Sequence, residues 1–172
     1  MKQFCLLSAA ILFISHSLVA GTLTDKLEGN LVKLEGDKVK KVEKGSLANK
    51  KIIAFYYSAH WCPPCRAYTP GLVKEYAELS AKYPEFELIF VSSDRDKKAM
   101  EEYMSWGKMN YPALDFKDAK KLDLVNKLSA SGIPYLVVVD ADGKELAGKG
   151  SENWVHPSEV LPKLKSLLKS GT

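Results

Sequence analysis

Cys62 and Cys65 stand three positions apart, with Pro63 and Pro64 between them and Trp61 directly in front. The apolar run 52–57 leads into the pair and a helical periodicity leaves it, so the cysteines fall where a strand gives way to a helix. That placement has chemical meaning. The first turn of a helix presents backbone N–H groups without intrahelical partners, at the positive end of the helix dipole. A sulfur there is favoured as thiolate, the attacking species in thiol–disulfide exchange. The second sulfur lies one turn further in, close enough to close a disulfide. The pattern predicts a dithiol–disulfide redox centre in which Cys62 is exposed and readily ionised.

Other uses of a Cys-x-x-Cys pair fit less well. A zinc site needs four ligands, and only His60 and His156 remain as soft ligands beyond the leader segment, without finger-like spacing. Covalent haem attachment requires histidine directly after the second cysteine, where this chain has Arg66. A permanently closed structural disulfide is the strongest rival, yet closing so short a loop adds little stability.

The elements that must position the pair can be read from the pattern. Segments 31–35 and 38–42 flank the turn signal Gly36-Asp37 and predict an amino-terminal β-hairpin. The run 52–57 reads as a buried central strand. Tyr68, Leu72, Tyr76, Leu79 and Tyr83 then mark one face of a helix, with Pro63 and Pro64 suited to its first turn and Pro70 expected to kink it. A second buried strand is expected over 86–92. Beyond it lie a helix carrying Met100, Tyr103 and Met104, a loop around 110–112, and a helix with Leu122, Val125 and Leu128. Segments 135–139 and 144–148 read as strands, and Pro157 opens a last helix with Val160, Leu161, Leu164, Leu167 and Leu168 as its apolar stripe. The order predicts an α/β fold, a central mixed sheet flanked by helices, with the hairpin in front.

A chain of 172 residues, 46% hydrophobic, holds one domain with a proper core. Residues 1–20 read as a signal peptide, cut after Ala20 or Gly21: a basic head, the apolar stretch 4–14, then small residues. An uncleaved membrane anchor is the alternative, disfavoured by the shortness of that stretch. Residues 21–30 read as a polar lead-in and 31–170 as the domain. Cleavage would remove Cys5 and leave the redox pair as the only cysteines, and the formal net charge of +4 would fall to +3. Mild basicity spread among glutamates gives no case for nucleic acid. The expected location is periplasmic or secreted, and the expected state a monomer without cofactor or metal.

A second signal is Gly132-Ile133-Pro134-Tyr135, immediately before a strand. Alone, Ile133-Pro134 is an ordinary loop dipeptide. Together with the upstream cysteines it predicts a cis-proline loop beside the sulfurs, with backbone groups free to pair with an extended substrate segment.

The blocks 57–66, Thr69-Pro70, 90–94 and 131–134 together resemble the thioredoxin-fold family, most closely its tryparedoxin and nucleoredoxin branch. The resemblance covers nearly everything from 29 to 168. It implies a thioredoxin-like fold and a dithiol–disulfide oxidoreductase in which Cys62 is the nucleophile, Cys65 the resolving thiol and Pro134 the cis residue packed against them. Trp61, Pro63, Pro64 and Ile133 would support the site and bind substrate. Implied partners are client proteins with disulfides and a membrane or soluble thiol electron donor. A thioredoxin-fold adaptor or chaperone without redox turnover is the rival function.

Two departures matter. Typical thioredoxin has a buried Asp six positions before its nucleophile; here Tyr56 occupies that place, as an aromatic does in the tryparedoxin branch, leaving the proton acceptor for Cys65 unidentified. The leader is the other, because proteins of that branch are usually intracellular. Among neighbouring residues, Trp61 is expected to cover the disulfide, His60 to face solvent, and Arg66 to add positive potential or merely to be solvated. Trp106 and Trp154 are assigned to packing, Asp94 and Asp96 to a helix start, and the lysine-rich segment 38–51 to a solvated face.

Overall fold

The computed structural model describes residues 22–149 and 153–171. The leader segment 1–20 lies outside them. Among the described residues seven strands form a single mixed sheet: β1 (Leu31–Glu35), β2 (Lys38–Lys41), β3 (Ile52–Ser58), β4 (Phe86–Ser92), β5 (Ala113–Leu114), β6 (Tyr135–Asp140) and β7 (Glu145–Ala147), in the order β2-β1-β5-β4-β3-β6-β7. β3 runs parallel to β4, and β4 to β5; every other pairing is antiparallel. The expected hairpin is present, with Glu35 opposite Lys38 and Gly36 at φ 60°, a conformation glycine adopts without steric cost. It is not a separate appendage, because β1 pairs onward with β5 and extends the sheet.

Alternation along the central strands divides the core into two layers. Ile52, Ala54, Tyr56, Leu88 and Phe90 pack against three helices, α2 (Pro63–Lys82), α3 (Lys97–Trp106) and α6 (Pro157–Ser170). Ile53, Phe55, Tyr57, Ile89, Val91, Val137 and Val139 face the opposite way, toward α1 (Thr22–Leu27) and α5 (Asp123–Leu128). The short α4 (Phe116–Ala119) links β5 to α5. With β3 and β4 covered on both faces, they read as nearly continuous apolar runs, interrupted in β4 by Glu87. Among the described residues no helix is long and apolar enough to cross a membrane.

The structure corrects the reading of 21–30 as a polar lead-in. Residues 22–27 form α1, whose Leu23 and Leu27 lie one turn apart and are fully buried. Just beyond it, the Glu28 carboxylate accepts N–H bonds from Gly45 and Leu47 at 2.7 and 3.0 Å, tying this segment to the loop before β3. The lysine-rich segment departs from its solvated character at Leu47, which is buried, and among its lysines at Lys50. Lys50 is largely buried, ion-paired with Glu87 at 3.4 Å and bonded to the Phe86 carbonyl at 2.9 Å.

Asp115 caps α4, accepting the Lys117 N–H at 3.1 Å, and pairs with Lys41 of β2 at 3.1 Å. Burial pushes its carboxyl upward, but the Lys117 N–H and the Lys41 ammonium outweigh it, and its pKa lies below the ordinary value. A depressed folded-state pKa contributes stability above the unfolded-state value and loses it as pH falls through the folded one. Asp115→Ala is therefore expected to cost about 1 kcal/mol at neutral pH. The gap from the parent should close below about pH 4 in chemical denaturation.

Candidate active site

β3 ends at Ser58, and four residues later Cys62 caps α2 with extended backbone, φ −91° and ψ 110°. Pro63 and Pro64 occupy the first helical turn, where a missing N–H leaves no bond unmade. α2 continues through Pro70 to Lys82. Cys62 and Cys65 are joined in a disulfide, with Cα atoms 5.2 Å apart, and the Cys65 N–H points at Cys62 Sγ from 3.3 Å. That N–H is one of the orphan donors of the helix start, so on reduction it favours charge on Cys62.

The expectation of an exposed Cys62 is corrected. The residue is 4% accessible and Cys65 is 0%, because Ala59 and Ile133 pack directly against the closed pair. Access to Cys62 runs along an open groove of about 500 Å³, lined by Trp61, Cys62, Pro63, Pro64, Ser93 and the loop residues 130–133. The groove wall is mostly apolar, so a partner thiol or disulfide reaching the sulfur leaves bulk water behind.

The expected cis bond between Ile133 and Pro134 is present. Ile133 packs against the cluster of Ala59, Cys62 and Cys65, and its carbonyl oxygen lies 3.8 Å from Cys62 Sγ, an acceptor for the reduced thiol. Pro134 is buried behind the groove, and its own carbonyl accepts the Trp154 indole N–H at 3.1 Å.

The structure brings Trp61, Pro63, Pro64 and Ile133 around Cys62. Trp61 is 56% exposed, its indole N–H donating to the Ser93 carbonyl at 3.1 Å, so it forms a shelf beside the sulfurs and no part of the core. His60 does not simply face solvent. Its ring stacks on Tyr103 with centroids 5.3 Å apart and also meets Trp106. Arg66 turns back and donates to the His60 carbonyl. Asp94, expected as a helix-start residue, instead accepts the His60 N–H at 2.8 Å and the Ser92 hydroxyl at 2.9 Å, holding the turn that carries Trp61. Asp96 is the true cap of α3, accepting the Ala99 N–H at 2.9 Å. Trp106, assigned to packing, is 48% exposed while stacking on Tyr103.

Beneath Cys65 lies a group of hydroxyls that sequence reasoning did not assemble. Thr69 Oγ1 donates to the Cys65 carbonyl at 3.0 Å and sits 2.9 Å from the Tyr56 hydroxyl and 2.6 Å from that of Tyr103. Ser58 Oγ donates to Tyr56 at 3.1 Å and lies 2.9 Å from Tyr103. Burial pushes the Tyr56 phenol far above its ordinary pKa. The place a thioredoxin gives to a carboxylate is therefore filled by a neutral network at physiological pH. The buried acids are committed elsewhere: Glu87 to Tyr76 and Lys50, Asp94 to the Trp61 turn, Asp115 to α4. Among the described residues no cluster of His, Cys, Asp or Glu is placed to hold a metal ion.

A disulfide between cysteines three positions apart at a helix cap, a cis-proline loop beside it and a mixed sheet between helices define a thioredoxin-fold redox protein. Comparison with known proteins agrees. The chain belongs to the Thioredoxin-like family, whose model matches residues 49–145, and falls in its tryparedoxin and nucleoredoxin branch. It is 40% identical over 120 residues to the probable nucleoredoxin 1 of Arabidopsis thaliana, covering 69% of this chain and 20% of that protein. To mouse nucleoredoxin it is 38% identical over 99 residues, 57% of this chain and 22% of the relative. The chain thus spans about a fifth of the nucleoredoxins it matches. Among solved structures, a thioredoxin from Wuchereria bancrofti superposes with a TM-score of 0.62 at 34% identity, covering 84% of this chain and 96% of that one. Tryparedoxin II of C. fasciculata, complexed with glutathionylspermidine, gives 0.62 at 30% identity, covering 81% and 88%.

Proposed function

We propose that the protein is an exported thiol–disulfide oxidoreductase that reduces, or exchanges, disulfides in client proteins by cycling Cys62 and Cys65 between dithiol and disulfide. The Cys62 thiolate attacks one sulfur of a client disulfide, forming a mixed disulfide and releasing the other client sulfur as thiolate. Cys65, having lost its proton, attacks Cys62; the client leaves with both sulfurs reduced and the enzyme with its own disulfide. A thiol donor of two electrons then restores the pair. The observation that carries this reading is the Cys62–Cys65 disulfide at the start of α2, with Cys62 reached from an apolar groove.

Export rests on the leader pattern of residues 1–20. In an oxidising compartment the donor would draw electrons from across the membrane. Mass spectrometry of the protein recovered from its native host checks this point: a mature chain beginning near residue 21 supports it, and an intact amino terminus argues against it.

Near-complete burial of both sulfurs favours one rival, a binding module whose disulfide never opens. Titration against glutathione redox buffers separates the two. The expected result is a reversible opening between the potentials of the cytosolic and exported compartments, roughly −300 to −180 mV. A pair that stays closed throughout that range supports the module and removes the enzyme.

A further inference from the structure

The exchange reading gives the loop 130–134 a task, and the contacts of Trp154 show what holds that loop against the sulfurs. The indole N–H of Trp154 is bonded to the Pro134 carbonyl at 3.1 Å. Its ring also backs Gly132: a methyl group built on that glycine would sit 3.5 Å from Trp154 Cδ1 and Nε1, in ordinary contact. Trp154 in turn meets the ring of His156 edge to face, centroids 6.3 Å apart, and His156 meets Tyr68 in the same manner at 5.4 Å. Tyr68 stands on α2, one turn beyond Cys65. A bracket of three aromatic rings thus runs from the cysteine-bearing helix to the loop, separate from the strand β6 that follows Pro134.

We propose that Trp154 is a positioning residue for the exchange reaction. By fixing Gly132 and Pro134 on either side of Ile133, it holds the Ile133 carbonyl at its 3.8 Å separation from Cys62 Sγ and sets the width of the groove that receives the client. A carbonyl oxygen facing the sulfur accepts a bond from the thiol and repels the thiolate, so it acts against the helix start and tempers the acidity of Cys62. Freeing the loop lets that oxygen drift. The thiol then becomes more acidic while the client is held less well.

This rests on the exchange chemistry assigned to Cys62, and the two can fail separately. Trp154→Phe keeps an aromatic ring and removes the N–H. In the reduced protein, the pH midpoint of Cys62 alkylation by iodoacetamide, read by mass spectrometry on the peptide that carries it, should fall by about half a unit. With insulin as the disulfide substrate, KM should rise roughly fivefold, the loss of one hydrogen bond, with little change in kcat. Trp154→His, which restores a ring N–H, should recover part of both shifts. Leu161→Ala, on α6 and away from the loop, should lower stability without moving the midpoint.

A Trp154→Phe midpoint and KM equal to the parent's would overturn the proposal. So would a Leu161→Ala midpoint displaced as far as that of Trp154→Phe, because general loosening would then explain both. A parent protein that fails to reduce insulin refutes the exchange reading, while the alkylation midpoint still decides the role of Trp154.

Discussion

Cys65→Ser will accumulate client proteins in mixed disulfides through Cys62, and Cys62→Ser will accumulate none. The difference follows from the order of attack. Cys62 caps α2 and borders the groove, whereas Cys65 is 0% accessible and does not line it. Without Cys65 the captured client has no internal thiol to displace it. Without Cys62 the remaining thiol has no path to a client. Reduction of insulin should fall to the uncatalysed rate in both variants, since each removes one of two obligatory steps. Non-reducing gels of each variant recovered from its native compartment make the measurement. If both variants turned over as fast as the parent, the two-cysteine cycle would be wrong.

The second large effect falls on stability. Phe90 is fully buried in β4, beside Ala113 of β5, and its ring meets Tyr56 at 6.4 Å and Tyr103 at 5.7 Å. Phe90→Ala should cost about 3–5 kcal/mol, since the rigid strands around it cannot collapse into the space. In thermal unfolding that corresponds to a midpoint lowered by roughly 10 °C. Exchange should slow as well, because Tyr56 and Tyr103 carry the hydroxyls under the Cys65 carbonyl. A cost below about 1 kcal/mol would mean that the neighbours repack freely and that this floor is not rigid.

The central strands and long helices were legible because their signals are long and local. Residues 52–57 are an unbroken apolar run, and 86–91 are apolar except for Glu87. In α2, Leu72, Tyr76 and Leu79 fall on the buried face that their spacing predicts. Two short elements escaped. α1 offers only two leucines in six residues, too few to establish a period, and β5 is two residues long and exists because β1 and β4 pair with it on either side. The cysteine motif and the loop before β6 were readable at the level of residue type. The accessibility of Cys62 was not, since it depends on how Ile133, 71 positions away, closes with nearby Ala59 over the cysteine pair. Nor were the contacts of Trp154 and Tyr103, which join residues 20 to 45 positions apart through tertiary packing alone.

The two margins of the sheet differ from its interior in a way that bears on how the molecule meets other chains. β2 places Lys38, Lys40 and Lys41 on one margin, with Lys41 anchored to Asp115, and β7 closes the other with only three residues. Charged and abbreviated borders discourage a foreign strand from zipping on, and with it runaway self-polymerisation. On the proposed function, such borders would keep the protein from zipping onto the clients it reduces. The proposed exchange would then take place at the apolar trough beside Cys62, away from both margins.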